Sequence, residues 1–313
     1  MAGIHHVTAI SGKAAHNLEF YRGVVGLRFV KKTVNFDDPS TYHLYYGDRV
    51  GHPGTILTFF PWEHAAAGRG GTGFTQQTSF RIPASAIGYW THRFVEKGVA
   101  HEAPEKRFGE PVLSFTDPAG MSLALVGVAG AETEPAWDSG DVPLEHAIRG
   151  FHGVTLLLDD GARTAAVLRD VLGFSEFDRD GSLSRFRTTE AIGGHVDIRE
   201  AKGFLRGRLG RGSVHHIAFR AADDSSQTEM ARKLVADHGL RPTPQVDREY
   251  FRSVYFREPG GILFEIATDA PGFTVDEAID SLGRDLKLPP FLEARRKEIE
   301  AVLPQLDTAE QTI

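Results

Sequence analysis

The sequence predicts an α+β fold built from four copies of one βαβββ module, which pair into curved mixed sheets. Three observations predict it. Four β-branched and aromatic runs begin alike, a segment with helical spacing of apolar residues follows each run, and further strand-like segments complete each copy. A unit this small does not bury both faces of its own sheet, so the copies must pair. Strand alternation then directs every second residue into a concave inner face.

Each element has a counterpart in the other modules. The first strands are predicted at Ile4–Ile10, Gln76–Ile82, Phe151–Leu157 and Val214–Arg220. The helices are predicted at Ala14–Val25, Ala86–Lys97, Ala162–Leu172 and Gln227–His238, and a glycine, the usual C-terminal cap, follows each one. The last strands are predicted at Gly54–Phe60, Gly120–Val126, Gly194–Arg199 and Gly261–Ala267, of which the third is the weakest match.

The 313 residues are comfortable for two domains. Modules one and two form a predicted N-terminal domain at 1–128, and modules three and four form a predicted C-terminal domain at 150–270. A linker rich in Gly, Pro and Glu is predicted between them at 129–149. A helical tail at 271–313 completes the division, with surface helices predicted at Asp276–Gly283 and Pro290–Val302 and a polar end from Asp307.

Composition excludes several kinds of protein. The chain has no cysteine, which excludes disulfides, iron–sulfur clusters, thiolate zinc sites and cysteine nucleophiles. Its net charge of −7 argues against nucleic-acid and membrane partners. No secretory signal and no membrane-spanning run of about 18 apolar residues is visible, so we expect a cytoplasmic protein. A homo-oligomer is compatible with the sequence.

One metal site is predicted on the concave face, because matched positions in two modules carry metal-ligating residues. Aligning the first strands superposes His6, Gln77, Gly153 and His216, and aligning the last strands superposes Thr58, Ala124, Ile198 and Glu265. Of these, His6, His216 and Glu265 are suited to a divalent cation. Two imidazoles and one carboxylate are the ligand set typical of non-haem Fe(II), with coordination positions left open, whereas a structural zinc site takes four ligands.

The histidines come in doublets, and neighbours on a regular strand face opposite sides of a sheet. We take the second member of each doublet, His6 and His216, as the ligand, and His5 and His215 as neighbours that support it. A shift of the strand register by one residue would exchange these assignments.

Several segments resemble ring-cleaving dioxygenases of the vicinal oxygen chelate (glyoxalase-like) superfamily. They are Ile4–Thr8, Gly26–Thr33, Tyr42–Gly47, Gly51–Ile56 and Glu258–Asp269. The closest branch degrades para-hydroquinones and includes chlorohydroquinone 1,2-dioxygenases. The resemblance implies two glyoxalase-like domains and an extradiol-type enzyme that uses Fe(II) and O₂ to cleave a hydroquinone-type (or catechol-type) ring. Mn(II) or another divalent ion is an alternative to Fe(II).

The same resemblance implies the roles of individual residues. The iron ligands of the branch match His6, His216 and Glu265, in agreement with the alignment of the modules. Its other site residues match His5, Thr8, His215, Arg248 and Tyr255. Tyr255 and His215 would orient a substrate oxygen and move protons, and Arg248 would stabilise anionic charge. Without the resemblance, Arg248 would be read as a surface ion pair with Asp247 or Glu249, and Tyr255 as an outward-packing strand residue.

Two other functions remain open. A glyoxalase-type isomerase or thiol transferase would use the metal site on the same concave face (the cup) for non-redox chemistry. Such enzymes often have four protein ligands, however, and Thr58 is a poor fourth ligand. A protein that binds aromatic compounds without turnover would not need the three ligands.

The Gly68–Gly73 run fits a dinucleotide-binding pattern but precedes a strand, so we interpret it as a loop between modules. No metal is assigned to His43 or to the remaining histidines.

Overall fold

The computed structural model describes residues 2–306, and the four predicted βαβββ modules are present there. Module one contains β1 (Ile4–Ser11), α1 (Ala14–Leu18, continued by a π-helical segment, Glu19–Val24), β2 (Arg28–Asn35), β3 (Asp38–Gly47) and β4 (Ile56–Pro61). Module two contains β5 (Phe74–Pro83), α2 (Ile87–Glu96, preceded by a 3₁₀ turn, Ala84–Ala86), β6 (Glu105–Arg107), β7 (Glu110–Thr116) and β8 (Ser122–Val128). The predicted α+β fold is therefore confirmed for this half of the chain.

The second half repeats the pattern. Module three contains β9 (Gly150–Leu158), α3 (Ala162–Asp170), β10 (Ser175–Asp180), β11 (Leu183–Arg187) and β12 (His195–Glu200). Module four contains β13 (Ser213–Ala221), α4 (Asp224–Ala236), β14 (Val246–Asp247), β15 (Arg252–Arg257) and β16 (Leu263–Thr268). In each module, the first strand pairs in parallel with the last strand. Parallel pairing is possible because the helix after the first strand returns the chain across the sheet before the remaining strands form.

Two eight-stranded mixed sheets result, and each combines one module from each half of the chain. The first has the order β14-β15-β16-β13-β1-β4-β3-β2 and joins modules one and four. The second has the order β10-β11-β12-β9-β5-β8-β7-β6 and joins modules two and three. The predicted division at 129–149 follows the order of the modules along the chain, whereas the sheets cross that division.

Two connecting loops meet where the chain passes between the sheets. Gly68–Gly73, which joins modules one and two, forms backbone bridges with the loop that joins modules three and four. A Cβ atom at Gly71 would lie 2.3 Å from the carbonyl oxygen of Leu205, and one at Gly210 would lie 2.4 Å from that of Ala66. Glycine is needed here for close backbone contact, which agrees with the interpretation of the Gly68–Gly73 run as a loop.

Helices and sheets share a large apolar core. Trp90 and Phe94 of α2, Tyr21 in the first helical segment, and Phe29 of β2 are fully buried in it. All eight residues of β1 are buried, and that strand lies in the middle of the first sheet. Within residues 2–306, no helix combines the length and apolar character needed to cross a bilayer.

The C-terminal segment differs from its prediction. The surface helix expected at Asp276–Gly283 was wrong: short 3₁₀ turns occur at Phe273–Val275 and Ile279–Ser281 instead. The helix expected at Pro290–Val302 is divided into α5 (Pro290–Glu293) and α6 (Arg296–Val302). The predicted polar end from Asp307 lies outside the described residues.

An inward-turned ion pair explains why residues 276 and 277 are not on a surface helix. Lys31 of β2 is fully buried, and its Nζ lies 2.7 Å from Asp276 Oδ1 and 2.6 Å from Glu277 Oε2. Tyr250 donates a hydrogen bond of 3.1 Å to Asp276 Oδ2, and the Lys31 ammonium lies over the Tyr250 ring. This cluster attaches the segment after β16 to the first sheet, next to the loop between β14 and β15.

We predict that Lys31→Met lowers the free energy of unfolding by about 3 kcal/mol, because it leaves Glu277 buried without its cation. Urea unfolding followed by tryptophan fluorescence measures the change. Lys13→Met is the matched control, since Lys13 is exposed and lies 3.6 Å from Glu63. That variant should lose less than about 1 kcal/mol. Equal losses in the two variants would contradict the anchoring role of Lys31.

Candidate metal centre

Two β-bulges shape the histidine doublets. The pairing of β1 with β13 matches Ile4 with Phe219 and then His6 with Ala218, so His5 is an extra residue in β1. Farther along, Thr8 pairs with His216 and Ala9 with Val214, so His215 is an extra residue in β13. A bulge breaks the strict alternation of side chains. Neighbouring rings therefore meet: the Nδ1 atoms of His5 and His6 are 2.9 Å apart, and those of His215 and His216 are 2.8 Å apart.

The three predicted ligands converge on one point. The Oε2 atom of Glu265, on β16, lies 3.3 Å from His6 Nε2 and 3.0 Å from His216 Nε2. One ligand atom from each residue lies within 4.8 Å of the others, and all three side chains are buried. The second histidine of each doublet is thus the one that faces the glutamate.

The donor atoms fit a divalent cation. Glu265 is fully buried, and its Oε2 atom has no hydrogen-bond partner within the described residues. Its other oxygen accepts a hydrogen bond from Ser253 Oγ, which fixes the carboxylate. A buried carboxylate oxygen without a hydrogen bond is costly, and a cation bound between it and the two Nε2 atoms would satisfy it.

The surroundings of Glu265 and His216 favour the protonation states that a metal requires. Burial alone would raise the pKa of Glu265, but the facing His6 and His216 lower it well below its ordinary value. Burial lowers the pKa of His216, and burial followed by the charge of His216 lowers the pKa of His215 to about 3. A charged carboxylate and neutral imidazoles are the forms that bind metal ions.

A cavity of about 350 Å³ lies beside the three ligands. Phe60, Trp62 and Phe251 contribute aromatic walls. Arg248 and Tyr255, both predicted site residues, also line it, and Arg248 Nε donates a hydrogen bond of 3.2 Å to the Tyr255 hydroxyl. Strand pairing places Tyr255 directly opposite Glu265.

The surroundings of Arg248 and Tyr255 determine their charge. The ion pair of Arg248 is formed with Asp37, at 3.0 Å, and not with its sequence neighbours Asp247 or Glu249. Burial alone would lower the pKa of Arg248, but Tyr255 and Asp37 raise it by more than burial lowers it. The pKa therefore lies above its ordinary value, and the guanidinium stays charged. Burial and then the nearby Glu265 raise the pKa of Tyr255, so its hydroxyl keeps its proton.

The other predicted residues occupy different positions around the centre. His215 lines the same cavity as His6 and His216. His5 instead lines a separate cavity, next to Tyr250. Thr8 is fully buried, and its hydroxyl accepts a hydrogen bond of 2.9 Å from Thr58, so it is connected to the cavity only through other side chains.

The cavity residues that sequence reasoning missed include His43 and Tyr45 of β3. His43 Nε2 lies 2.8 Å from Thr58 Oγ1, and the Tyr45 hydroxyl lies 2.8 Å from His43 Nδ1. Tyr45 pairs with Thr58 as Tyr255 pairs with Glu265, so the two tyrosines occupy equivalent places in modules one and four. Extending the alignment of the modules to their middle strands would have found Tyr45 as the counterpart of Tyr255.

Comparison with known proteins identifies the family. The sequence profile described as the Glyoxalase/Bleomycin resistance protein/Dioxygenase superfamily matches residues 3–125 and again residues 150–266. This chain belongs to that superfamily. Each match contains two βαβββ modules, and the resemblance noted from the sequence motifs is thereby confirmed.

Similar proteins align over nearly the whole chain. "Putative ring-cleaving dioxygenase MhqO" of Bacillus subtilis is 44% identical over 98% of this chain and 97% of its own length. "Chlorohydroquinone/hydroquinone 1,2-dioxygenase" of Sphingobium indicum is 34% identical over 95% and 94%, respectively. A crystal structure of a "putative dioxygenase" from Bacillus subtilis superposes with a TM-score of 0.93 at 44% identity, covering 98% of this chain and 97% of that one. Glyoxalase I from Zea mays shares the fold, with a TM-score of 0.66 at 13% identity, covering 86% of this chain and 93% of that one.

The second sheet, formed by modules two and three, has a site equivalent to the metal centre of the first sheet. We call this site the second cup. The parallel pairing places Asp197 beside Thr155, just as it places Glu265 beside Ala218 in module four. Both Thr155 and Ala218 lie two residues after the aligned first-strand position. The counterpart of Glu265 is therefore Asp197, and the predicted Ile198 was wrong by one residue.

A side-chain cation occupies this second cup. Arg185 donates hydrogen bonds of 2.8 and 2.9 Å to the two oxygens of Asp197 and one of 2.7 Å to Glu110. The His152 ring lies 3.2 Å from Glu110 and stacks on His195. Burial would raise the pKa of Glu110, but His152 and Arg185 lower it to about 2. Burial and then the charge of His152 lower the pKa of His195 to about 3.

We predict that His216→Ala abolishes metal retention while the protein stays folded, because only two of the three ligands remain. Metal analysis of protein purified without added salts, together with circular dichroism, measures both properties. Wild type should retain one ion per chain, since Arg185 neutralises the second cup. His195→Ala, in that second cup, is the control and should retain the ion. Wild-type metal content in His216→Ala would show that the ligand set is wrong.

Acid should destabilise the second cup. The unfolded chain protonates His195 near pH 6.5 and Glu110 near pH 4.5, whereas the folded protein protonates them only near pH 3 and 2. Their stabilising contribution is complete above these unfolded values and is lost as the pH falls towards 3 and then 2. We predict that the free energy of unfolding, measured in urea between pH 7 and 4.5, declines less steeply in His195→Gln and His195→Phe. Wild-type slopes in both variants would contradict this.

Proposed function

We propose that this protein is a non-haem Fe(II)- and O₂-dependent, extradiol-type ring-cleaving dioxygenase acting on a hydroquinone-type (or catechol-type) aromatic. The observation that carries the proposal is the convergence of His6, His216 and Glu265 beside an aromatic-walled cavity. The names of the relatives that align over nearly the full chain support the same reaction. The coarser conclusion, a member of a superfamily whose centres use divalent metals, is in accord with these three ligands.

The ligand set favours iron among divalent metals. Two imidazoles and one carboxylate on one side of an ion are typical of non-haem Fe(II) oxygenases. When bound, such an ion would supply Lewis acidity and a redox path to O₂. Thr58 occupies the position in module one that corresponds to Glu265, and its hydroxyl is already bound to Thr8 and His43. The absence of a fourth protein ligand there favours open coordination positions, although Mn(II) would also fit these donors.

Arg248, Tyr255 and His215 are the residues suited to act on the substrate. A phenol binds a cation well only after it loses its proton, and the charged Arg248 guanidinium would stabilise the resulting oxyanion. Tyr255 keeps its proton and accepts a hydrogen bond from Arg248, so it can donate to a substrate oxygen. His215 is neutral at physiological pH because of burial, and its place in the cavity wall suits it to orient a substrate oxygen by a hydrogen bond.

His5 and Thr8 act through other residues in this proposal. The ring nitrogen of His5 contacts the Nδ1 atom of His6, which fixes the orientation of that ligand. His215 makes the same contact with His216. Thr8 holds Thr58 in place, and Thr58 in turn contacts His43.

The cavity walls suit a small aromatic substrate. The Phe60 and Trp62 rings stack nearly parallel, with centroids 5.8 Å apart, and the Phe251 ring packs against His6. Apolar ring faces can hold a planar substrate and exclude water from the centre. The cytoplasmic location, a homo-oligomer and the lack of nucleic-acid or membrane partners stay predictions.

We predict that protein loaded anaerobically with Fe(II) consumes O₂ on addition of hydroquinone or methylhydroquinone, with an equal molar loss of ring absorbance. An oxygen electrode and an ultraviolet spectrometer follow the two quantities together. Glu265→Gln is the matched control, because it removes the acidic ligand with almost no change in shape, and its rate should fall by at least about 100-fold.

Other outcomes separate the alternatives. Oxygen consumption with formation of the corresponding benzoquinone would mean autoxidation and would contradict ring cleavage. A glyoxalase-type isomerase or thiol transferase would convert a glutathione hemithioacetal or an electrophile without using O₂. A binding protein would take up hydroquinone and return it unchanged.

A further inference from the structure

The wall of the cavity formed by module one contains a continuous hydrogen-bonded chain. It runs from the Tyr45 hydroxyl to His43, from His43 to Thr58, and from Thr58 to Thr8, with distances of 2.8, 2.8 and 2.9 Å. Tyr45 and His43 line the cavity, whereas Thr58 and Thr8 are fully buried behind them. This series of hydrogen bonds therefore begins at the cavity and ends inside the sheet.

The direction of the hydrogen bonds follows from the buried end. Thr58 donates a hydrogen bond to Thr8, so the Thr58 oxygen accepts a hydrogen bond from His43 Nε2. The ring proton of His43 is therefore on Nε2. His43 Nδ1 is left as an acceptor, and the Tyr45 hydroxyl donates to it. The lone pairs of the Tyr45 oxygen are the groups that remain for a ligand. Burial lowers the pKa of His43 and raises that of Tyr45, in agreement with this arrangement.

Tyr255 has the opposite polarity. Its oxygen accepts a hydrogen bond from the Arg248 guanidinium, so its proton is available to a ligand. Tyr45 and Tyr255 stand at equivalent positions in modules one and four, opposite Thr58 and Glu265. One cavity thus has a cationic, donating side and an accepting side. A diol that has lost one of its two protons matches both sides, since it offers one oxyanion and one hydroxyl donor.

We propose that Tyr45 is a specificity-determining residue that accepts a hydrogen bond from the second, still protonated hydroxyl of a diol substrate, and that His43 is the positioning residue that orients it. This inference rests on the proposed function, because it assumes that a hydroxylated aromatic occupies the cavity. It explains selection for a free second hydroxyl, since an ether oxygen at that place has no proton to donate.

The experiment compares the binding of hydroquinone and 4-methoxyphenol to the metal-loaded protein without O₂. Trp62 lines the cavity, so quenching of tryptophan fluorescence reports occupancy. Wild type should bind hydroquinone about tenfold more tightly than the ether. Tyr45→Phe should lose about tenfold in affinity for hydroquinone with no change for 4-methoxyphenol, and His43→Phe should lose part of the discrimination.

Tyr46→Phe is the matched control. It makes the same chemical change at the next residue of β3, whose hydroxyl binds Asn17 in the core, and it should keep the wild-type ratio of affinities. Equal binding of the two compounds by wild type, or an equal loss of both in Tyr45→Phe, would overturn the role of Tyr45 while leaving ring cleavage to its own test. If wild type bound neither compound, the proposed substrate class would also be overturned.

Discussion

The antiparallel pairing of β1 with β13 is the interaction on which the centre depends. It joins the beginning of the chain to its last module and places His6 and His216 on neighbouring strands. Each strand carries a one-residue bulge at its histidine doublet, so both doublets bring their two rings together. Parallel pairing of β13 with β16 then adds Glu265. Backbone hydrogen bonding thus brings the three strand positions together, and side-chain contacts from His5, His215 and Ser253 orient the ligands.

A second constraint is that the charge of each buried carboxylate must be neutralised. Each of the two cups contains one at an equivalent register, Glu265 in the first and Asp197 in the second. In the second cup, the Arg185 guanidinium neutralises the carboxylate with two hydrogen bonds. In the first cup, two imidazoles face the carboxylate and one of its oxygens has no hydrogen bond within the described residues, which is a suitable environment for a dissociable cation.

Local and repeated features of the fold could be predicted from the sequence. Strands, helices and terminal glycines recur in each module, so four weak signals reinforce one another, and the same repetition singles out His6, His216 and Glu265. The pairing of modules across the two halves could not be predicted, because it depends on contacts between distant segments. The bulges at His5 and His215 escaped prediction for the same reason, since they arise from the partner strand.

Other misses have specific causes. Asp276 and Glu277 look like surface helix residues until the buried cation of Lys31 is known. His43 has no histidine counterpart in the other modules, so alignment of the first and last strands did not reveal it. A shift of one residue at the weakest alignment led to Ile198 in place of Asp197.

The pairing of distant strands also affects the order of events during synthesis. His6 leaves the ribosome with module one, whereas Glu265 follows only after the helices of all four modules, α1 to α4, have been made. Nascent and truncated polypeptides therefore contain an incomplete coordination sphere. Because high affinity requires all three donors, ion uptake must follow translation of module four. Unfinished chains accordingly compete poorly for the cellular metal supply.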